Sequence, residues 1–207
     1  MRKFRIFSFK RLAAAILTGL LVSGTLSSMA SFAVGCEDIR GDVLRLHILA
    51  NSDSKEDQAL KLAVRDRLLA LDSTLFYKVG DLAAAKEAAA SSLGEIRRTA
   101  EETLRENGSE DSVQVVLTRM YFATREYENY TLPAGMYDAL RIVIGRGEGH
   151  NWWCVLYPPL CLPAAEKREE LEEILTAEEL KILESGPRYR YRFALVELWE
   201  KIKGLFD

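Results

Sequence analysis

The chain has 207 residues, of which 48% are hydrophobic and 29% are charged, so it fits one globular domain plus a targeting segment and is not a disordered chain. Its formal net charge of −3 conceals an asymmetry, because 5 of its 28 basic residues precede the first acidic residue, Glu37, and the other 23 stand against 31 acidic residues, a balance of −8. A remainder this acidic is repelled by nucleic acid and by anionic lipid headgroups unless a local basic patch overrides the total, so nucleic acid is not an expected partner.

The N-terminus has the three regions of a secretory signal peptide. The first residues are basic, and Leu12 to Leu26 form an uncharged, mostly apolar run that is shorter than the ~20 residues that span a bilayer. Small residues then precede both Ala30 and Ala33 at the spacing that a signal peptidase reads. We predict a signal peptide over 1–33, cut after Ala33 with Ala30 as the next choice, and a single exported domain over 34–207.

Two other interpretations of this terminus stay open. If Ser27 to Val34 extend the apolar run, the signal is long enough to remain as an uncut anchor. The residues from Ala33 to Cys36 also resemble a lipoprotein processing site. All three interpretations place the residues after Cys36 outside the cytosol. We therefore expect a secreted protein that meets the membrane only during export or through an uncut signal.

The exported part begins with one strand and two helices. Apolar and polar residues alternate over 42–50, which predicts a half-buried strand. A capping-box pattern at Ser54 predicts a helix over 55–71. The Ala-rich segment 81–107 predicts a second helix that packs closely on a sheet.

Four further strands follow, and after Pro163 the chain is predicted to be helical. A capping box at Thr176 and an apolar helical face over 194–206 predict helices, and we expect that face to lie in the core. Strands that follow one another along the chain usually pair antiparallel, so we predict an α+β fold with a mainly antiparallel sheet and flanking helices. The predicted strands cover residues 112–123, 128–132, 139–144 and 152–157.

A glycine-rich loop over 145–149 follows a predicted strand but does not predict a nucleotide site. Its glycines are spaced G-x-G-x-G, and an aromatic strand follows where a phosphate-binding loop needs a helix N-terminus. Two histidines and three cysteines also give few convergent ligands for a metal ion. We therefore expect no cofactor and no metal.

The three cysteines raise the question of a thiol nucleophile. Cys154 could form a catalytic pair with His150 or His47. A thiol outside the cytosol is readily oxidised, and two prolines turn the chain between Cys154 and Cys161, so we predict a disulfide between these two. Cys36 could instead pair with either of them.

Several blocks of residues resemble the stage II sporulation protein R family. The first and third blocks below are long and unusual, and together the blocks cover roughly residues 40–200. The first block is LRLHILANSDS over 44–54 with DQALKL over 57–62 and VRD over 64–66. The second is TREY over 124–127 with LPAG over 132–135 and Tyr137, and the third is HNWWCVL over 150–156 with PPLC over 158–161. A weaker fourth block is RF over 192–193 with VEL over 196–198.

This resemblance implies a signalling ligand without catalysis of its own. Such a protein is made in the forespore and exported into the space between the forespore and mother-cell membranes. There it triggers a membrane-embedded aspartic peptidase, which cleaves the pro-form of a sporulation sigma factor. The competing hypotheses are an extracytoplasmic Cys/His-dependent enzyme and an envelope structural protein anchored by an uncut signal.

The expected partner-binding residues fall in two groups. Adjacent strand residues point to opposite faces, so one tryptophan of the pair at 152–153 can enter the core while the other anchors a partner. The alternative is that loops or the C-terminal helix cover both. A second group lies around the first strand, where His47 could equally be a partner of Asp53. The expected residues are His150, Asn151, Trp152 and Trp153 in the first group, and Arg45, His47 and Asn51 in the second.

Overall fold

A computed structural model of the chain describes residues 9–75, 79–127, 130–158, 171, 174–185 and 189–204. Within these residues, one helix and one strand are followed by two helices, five strands and two further helices. The elements are α1 (Phe9–Gly41), β1 (Leu44–Leu49), α2 (Lys55–Leu75), α3 (Leu82–Glu106), β2 (Val113–Phe122), β3 (Arg125–Glu126), β4 (Thr131–Leu132), β5 (Gly135–Ile144), β6 (Asn151–Tyr157), α4 (Ala177–Leu183) and α5 (Arg190–Lys203).

The central sheet has the strand order β2-β5-β1-β6 and is mixed. Strand β1 runs parallel to β5, with Leu46 beside Leu140, whereas β1 with β6 and β2 with β5 are antiparallel. The predicted α+β class is confirmed, and the sheet is mostly antiparallel as predicted, although the parallel β1–β5 pair makes it mixed. The chain between β1 and β5 passes through α2, α3 and the strands β2 to β4, and this long crossover returns it in the direction of β1.

Helices α2 and α3 cover one face of the sheet and form the first core with it. Leu44, Leu46 and Ile48 of β1 point to this face and are fully buried. Ala85, Ala89 and Ala100 of α3 have no exposed surface, because their small side chains let the helix approach the strands closely. This confirms the prediction that the Ala-rich helix packs on a sheet.

The opposite face of the sheet carries the second core, which α1, α4 and α5 complete. Its apolar residues include Phe32 and Ile39 of α1, Phe122 and Tyr137 of the strands, and Phe193 of α5. Both faces of β1 are therefore covered, and the prediction of a half-buried strand underestimated its burial.

Helix α1 consists of an exposed apolar part and a packed part. The large apolar side chains between Leu12 and Leu26 are at least half exposed, whereas Phe32 and Cys36 are buried in the second core. By length and composition α1 could cross a membrane, which is also true of a signal sequence near an N-terminus. The burial of Cys36 inside a helix argues against the lipoprotein interpretation, which needs this residue at an accessible chain end.

The predicted helix starts are confirmed in detail. The Asp57 N–H donates to the Ser54 hydroxyl at 3.0 Å, and Thr176 and Glu179 form a reciprocal capping box at the start of α4. The predicted strand at 128–132 appears as β4, although residues 128 and 129 lie outside the described residues. Most of the segment predicted to be helical after Pro163 also lies outside them.

The prediction that the apolar face of the C-terminal helix lies in the core is wrong for the residues of that face that the structure describes. Phe193 and Val196 of α5 are buried, but Leu195, Leu198 and Trp199 are each more than half exposed. Leu205 and Phe206, which were predicted to share this face, lie outside the described residues. The helix therefore has apolar side chains on two opposite sides, a pattern that a single predicted face does not separate.

Candidate functional site

The two predicted groups of partner-binding residues lie together, because β1 pairs with β6. In this antiparallel register His47 stands beside Trp153, Ile48 beside Trp152 and Leu49 beside Asn151. The loop before β6 folds back over the turn that follows β1. We call this region, residues 50–57 and 145–153, the β1–β6 corner.

Hydrogen bonds fasten the loop of the corner to the start of α2. The Glu148 and Gly149 N–H groups donate to the Asn51 and Ala50 carbonyls at 3.1 Å and 3.0 Å. Asn51 donates from Nδ2 to Asp57 at 3.1 Å and accepts at Oδ1 from the Arg146 N–H at 3.0 Å. Asn51 thus joins the two halves of the corner, which is a structural role.

His150 is the exposed side chain at the tip of the corner. Its backbone N–H donates to Asp53 Oδ1 at 2.6 Å, and its ring Nδ1 contacts the same oxygen. These contacts hold the pKa of Asp53 below its usual range. Lys61 of α2 donates to the His150 carbonyl at 2.9 Å. The partner of Asp53 is therefore His150, and the alternative that assigned His47 to it is wrong.

His47 is buried in the second core, 3% exposed. Its ring centre lies 5.4 Å from that of Trp153 and 6.2 Å from that of Phe122, both in edge contacts. Burial, and then the positive charge of Arg141, lower the pKa of His47 to about 4, which Asn151 offsets in part. A neutral buried imidazole cannot contact a partner protein directly.

Arg45 is fully buried as well, an unusual position for a guanidinium group. Its Nε donates to the Cys154 carbonyl at 3.1 Å and its Nη2 to the Tyr127 hydroxyl at 2.9 Å. The group lies over the ring of Phe122 at 4.4 Å and of Tyr137 at 5.1 Å. Cation–π contacts and neutral acceptors hold Arg45 in the core, so it also supports the fold.

Trp152 and Trp153 point to opposite faces of the sheet, as predicted. Trp152 packs against the first core beneath Arg65, whose guanidinium lies 4.3 Å from the ring centre. Trp153 packs in the second core, 5.0 Å from Phe122, with Arg125 at 5.9 Å. Both are half-buried, so neither is a fully exposed anchor, and the side chains named here that cover them come from α2 and the strands rather than from loops or the C-terminal helix.

The cysteines are placed differently from one another. Cys36 is a free, buried thiol, so it does not pair with either of the other two. Cys154 is buried on β6 at 5% exposure. Cys161 lies outside the described residues, so the Cys154–Cys161 disulfide stays a prediction.

The described residues contain no group of three His, Cys, Asp or Glu side chains that could hold a metal ion. An open cleft of about 670 Å³ beside α1 is lined by charges of both signs. Arg40 there pairs with Glu37, and Lys86 pairs with Asp138 at 2.6 Å. Charges that are already paired in this way favour a structural role for the cleft.

The exposed apolar face of α5 and the side chains that brace the corner were not expected from the sequence. Lys61 and Arg65 project from α2 onto the loop and onto Trp152, and helical spacing alone did not distinguish them from solvated charges. The exposed face of α5 could have been predicted, because apolar residues occur on both sides of the helix and only one side can pack in the core.

Comparison with known proteins places the chain in a family. The family model for stage II sporulation protein R matches residues 40–167, more than half of the chain, and includes the whole β1–β6 corner. Stage II sporulation protein R of Bacillus subtilis (strain 168) is 36% identical over 186 residues, which cover 84% of this chain and 83% of that protein. No solved structure matches the chain. The chain therefore belongs to the stage II sporulation protein R family, which supports a role in sporulation.

Proposed function

We propose that this protein is an intercellular signal of endospore formation. It is made in the forespore, exported into the space between the forespore and mother-cell membranes, and activates a membrane-embedded aspartic peptidase that processes a pro-sigma factor. The observation that carries the proposal is the form of α1, an exposed apolar helix that leads directly into a folded domain of this family. Such a helix supports export of the domain that follows it.

The β1–β6 corner supplies the surface that we propose contacts the peptidase. His150 and Asn151 are exposed there, while Arg45 and His47 beneath them are buried. A ligand activates an enzyme only if it binds the active state better than the inactive state, and a rigid surface loses little entropy on binding. The bonds from Asn51, Asp53 and Lys61 give the corner that rigidity.

Processing of the pro-sigma factor tests the proposal. The protein would be co-expressed with its signal peptide, the candidate peptidase and the pro-sigma substrate, and immunoblotting would follow the shortened sigma factor. We expect processing that requires both the peptidase and the export signal. Absence of processing, with the exported folded domain shown to be present beside a competent peptidase, would contradict the proposed function.

A matched pair of variants tests the proposed surface separately. His150→Ala combined with Asn151→Ala removes two exposed side chains of the corner, and we expect it to lower processing at least tenfold. Glu102→Ala removes an exposed side chain on α3 and should leave processing unchanged. Circular dichroism and export levels would be compared for all three proteins. Normal processing by the double variant would move the contact surface away from the corner while leaving the function intact.

A further inference from the structure

Helix α5 presents a second apolar face to solvent. Phe193 and Val196 pack in the second core at 2% and 5% exposure. At about 100° per residue, the exposed apolar residues fall within an arc of roughly 100° on the opposite side. We call this set the outer stripe: Tyr191 (85% exposed), Leu195 (53%), Leu198 (55%), Trp199 (57%) and Ile202 (39%).

Basic residues flank the outer stripe along both edges. Arg190 and Lys201 lie on one edge by helical spacing, and Arg192 and Lys203 lie on the other. The lysines are partly neutralised, since each pairs with Glu197 or Glu200 on the inner side at 2.9 Å and 3.3 Å. Long basic side chains can lay their apolar stems along such a stripe and reach outward to lipid phosphates.

The size of the outer stripe argues against a second copy of the chain as its occupant. A helix of 14 residues is about 21 Å long, so a stripe about 10 Å wide offers roughly 200 Å². A stable protein interface buries about 800 Å² on each partner. A bilayer surface sets no such requirement, and apolar side chains with aromatic and basic neighbours are typical of helices that lie in it.

The position of α1 points to the same occupant. Leu195 and Trp199 line a groove of about 290 Å³ together with Met29 and Ala30 of α1. During export the apolar part of α1 enters a bilayer, so the stripe is brought to that membrane. We propose that α5 docks the exported domain on the surface of an anionic lipid bilayer through the outer stripe.

The docked form is a chain from which the apolar part of α1 has been removed. Helix α5 runs in the same direction as α1, since the ring of Phe32 lies 5.1 Å from that of Phe193 and Arg40 lies 3.5 Å from Glu200. With α1 upright in a bilayer, α5 could not lie flat on the surface. Removing the residues before Ser31 takes away the part of α1 that would stand in the bilayer, and it also uncovers Trp199 beside Met29 and Ala30, which widens the stripe.

Vesicle binding tests the proposal on the chain from Ser31 to Asp207, which keeps every buried residue of the two cores. Co-sedimentation would compare vesicles of phosphatidylcholine and phosphatidylglycerol at three to one with vesicles of phosphatidylcholine alone. We expect binding to the anionic vesicles that weakens with salt. Leu195→Glu combined with Leu198→Glu should lower the bound fraction at least tenfold. Leu62→Glu, at an exposed apolar site on α2, should leave it unchanged.

Three results would overturn the proposal. The chain could fail to bind anionic vesicles, or the double Glu variant could bind them as well as the unchanged chain. Light scattering could also show a dimer that the double variant dissociates, which would make the stripe a contact between copies. The pro-sigma assay separates this proposal from the proposed function, because activation without vesicle binding contradicts only the lipid surface.

Discussion

His47 should make the stability of the domain depend on pH. Its pKa in the folded state is about 4, below the usual 6.5, so protons bind the unfolded chain first as the pH falls. The free energy of unfolding should therefore decrease by about 3 kcal/mol between pH 6.5 and pH 4, and this contribution is fully present only above pH 6.5. Urea unfolding at several pH values in this range measures the decrease.

The control for this prediction is His47→Gln, which keeps a neutral polar side chain of similar length. The variant should lose most of the decrease between pH 6.5 and pH 4.5. Carboxylates whose pKa is lowered in the fold, such as Glu37 and Glu197, lose their stabilising contribution at lower pH in both proteins. Equal slopes for the variant and the unchanged chain above pH 4.5 would show that His47 does not titrate as a buried group.

Gly149 should be a residue at which no side chain is tolerated. A Cβ atom built there would lie 2.1 Å from the Ser52 carbonyl oxygen. Gly149→Ala therefore forces the two halves of the corner apart and should lower the free energy of unfolding by roughly 1–3 kcal/mol. Gly94 in α3 is the matched control, because a Cβ atom added there would have nothing within 4 Å and Ala favours the helix by roughly 0.5–1 kcal/mol. Thermal unfolding of both variants measures the contrast, and a neutral Gly149→Ala would mean that the corner is loosely held.

At the scale of elements, α1 changes from exposed helix to core between Ser31 and Phe32. Phe32 is 3% exposed, and its ring lies 5.1 Å from Phe193 and 5.5 Å from Tyr189. A cut after Ala33 would remove Phe32, a loss comparable to truncating a buried Phe, which costs about 3–5 kcal/mol. The structure therefore favours Ala30 over the cut after Ala33 predicted from the sequence. We expect the exported chain to begin at Ser31, as its intact mass would show.

Two variants of equal charge check this cut. Ser28→Glu places a charge at the third residue before a cut after Ala30, a position where signal peptidase reads a small side chain. Ser31→Glu makes the same change for a cut after Ala33, and both serines are exposed. Cleavage of the signal peptide should fail in the Ser28→Glu variant and persist in the Ser31→Glu variant. An exported chain that begins at Val34, or one that keeps its full mass, would contradict the prediction.

The elements were predictable because each carries a local pattern, whereas their pairing depends on distant residues. Alternation over 42–50 identified β1, and the capping residues Ser54 and Thr176 marked two helix starts. No local pattern distinguishes β5 from β6 as the parallel neighbour of β1. That choice depends on how α2 and α3 cover one face of the sheet.

That the two expected groups of residues lie together was not predictable from the sequence, which gives them as two separate candidates far apart in the chain. Asn51 and His150 meet in one corner because β1 pairs with β6. The burial of Arg45 could not be foreseen, since the rings of Phe122 and Tyr137 that hold it come from strands far along the chain. The charge of Arg45 alone predicts an exposed side chain, whereas the aromatic rings around its guanidinium group stabilise it in the core.

At the scale of the whole molecule, the number of reactive thiols separates a binding protein from a Cys/His enzyme. Cys36 is fully buried and burial raises its pKa to about 12, so it should not react in the folded protein. If Cys154 and Cys161 are bonded, thiol titration of the exported protein should find none in the native state, one after unfolding and three after unfolding with a reductant. Three thiols in the unfolded protein without reductant would contradict the predicted disulfide. A thiol that reacts in the native protein would favour catalysis by Cys154. Because a nucleophile must be reduced and accessible, the expected count of none, one and three is incompatible with that enzyme and leaves the surface of the domain to carry its function.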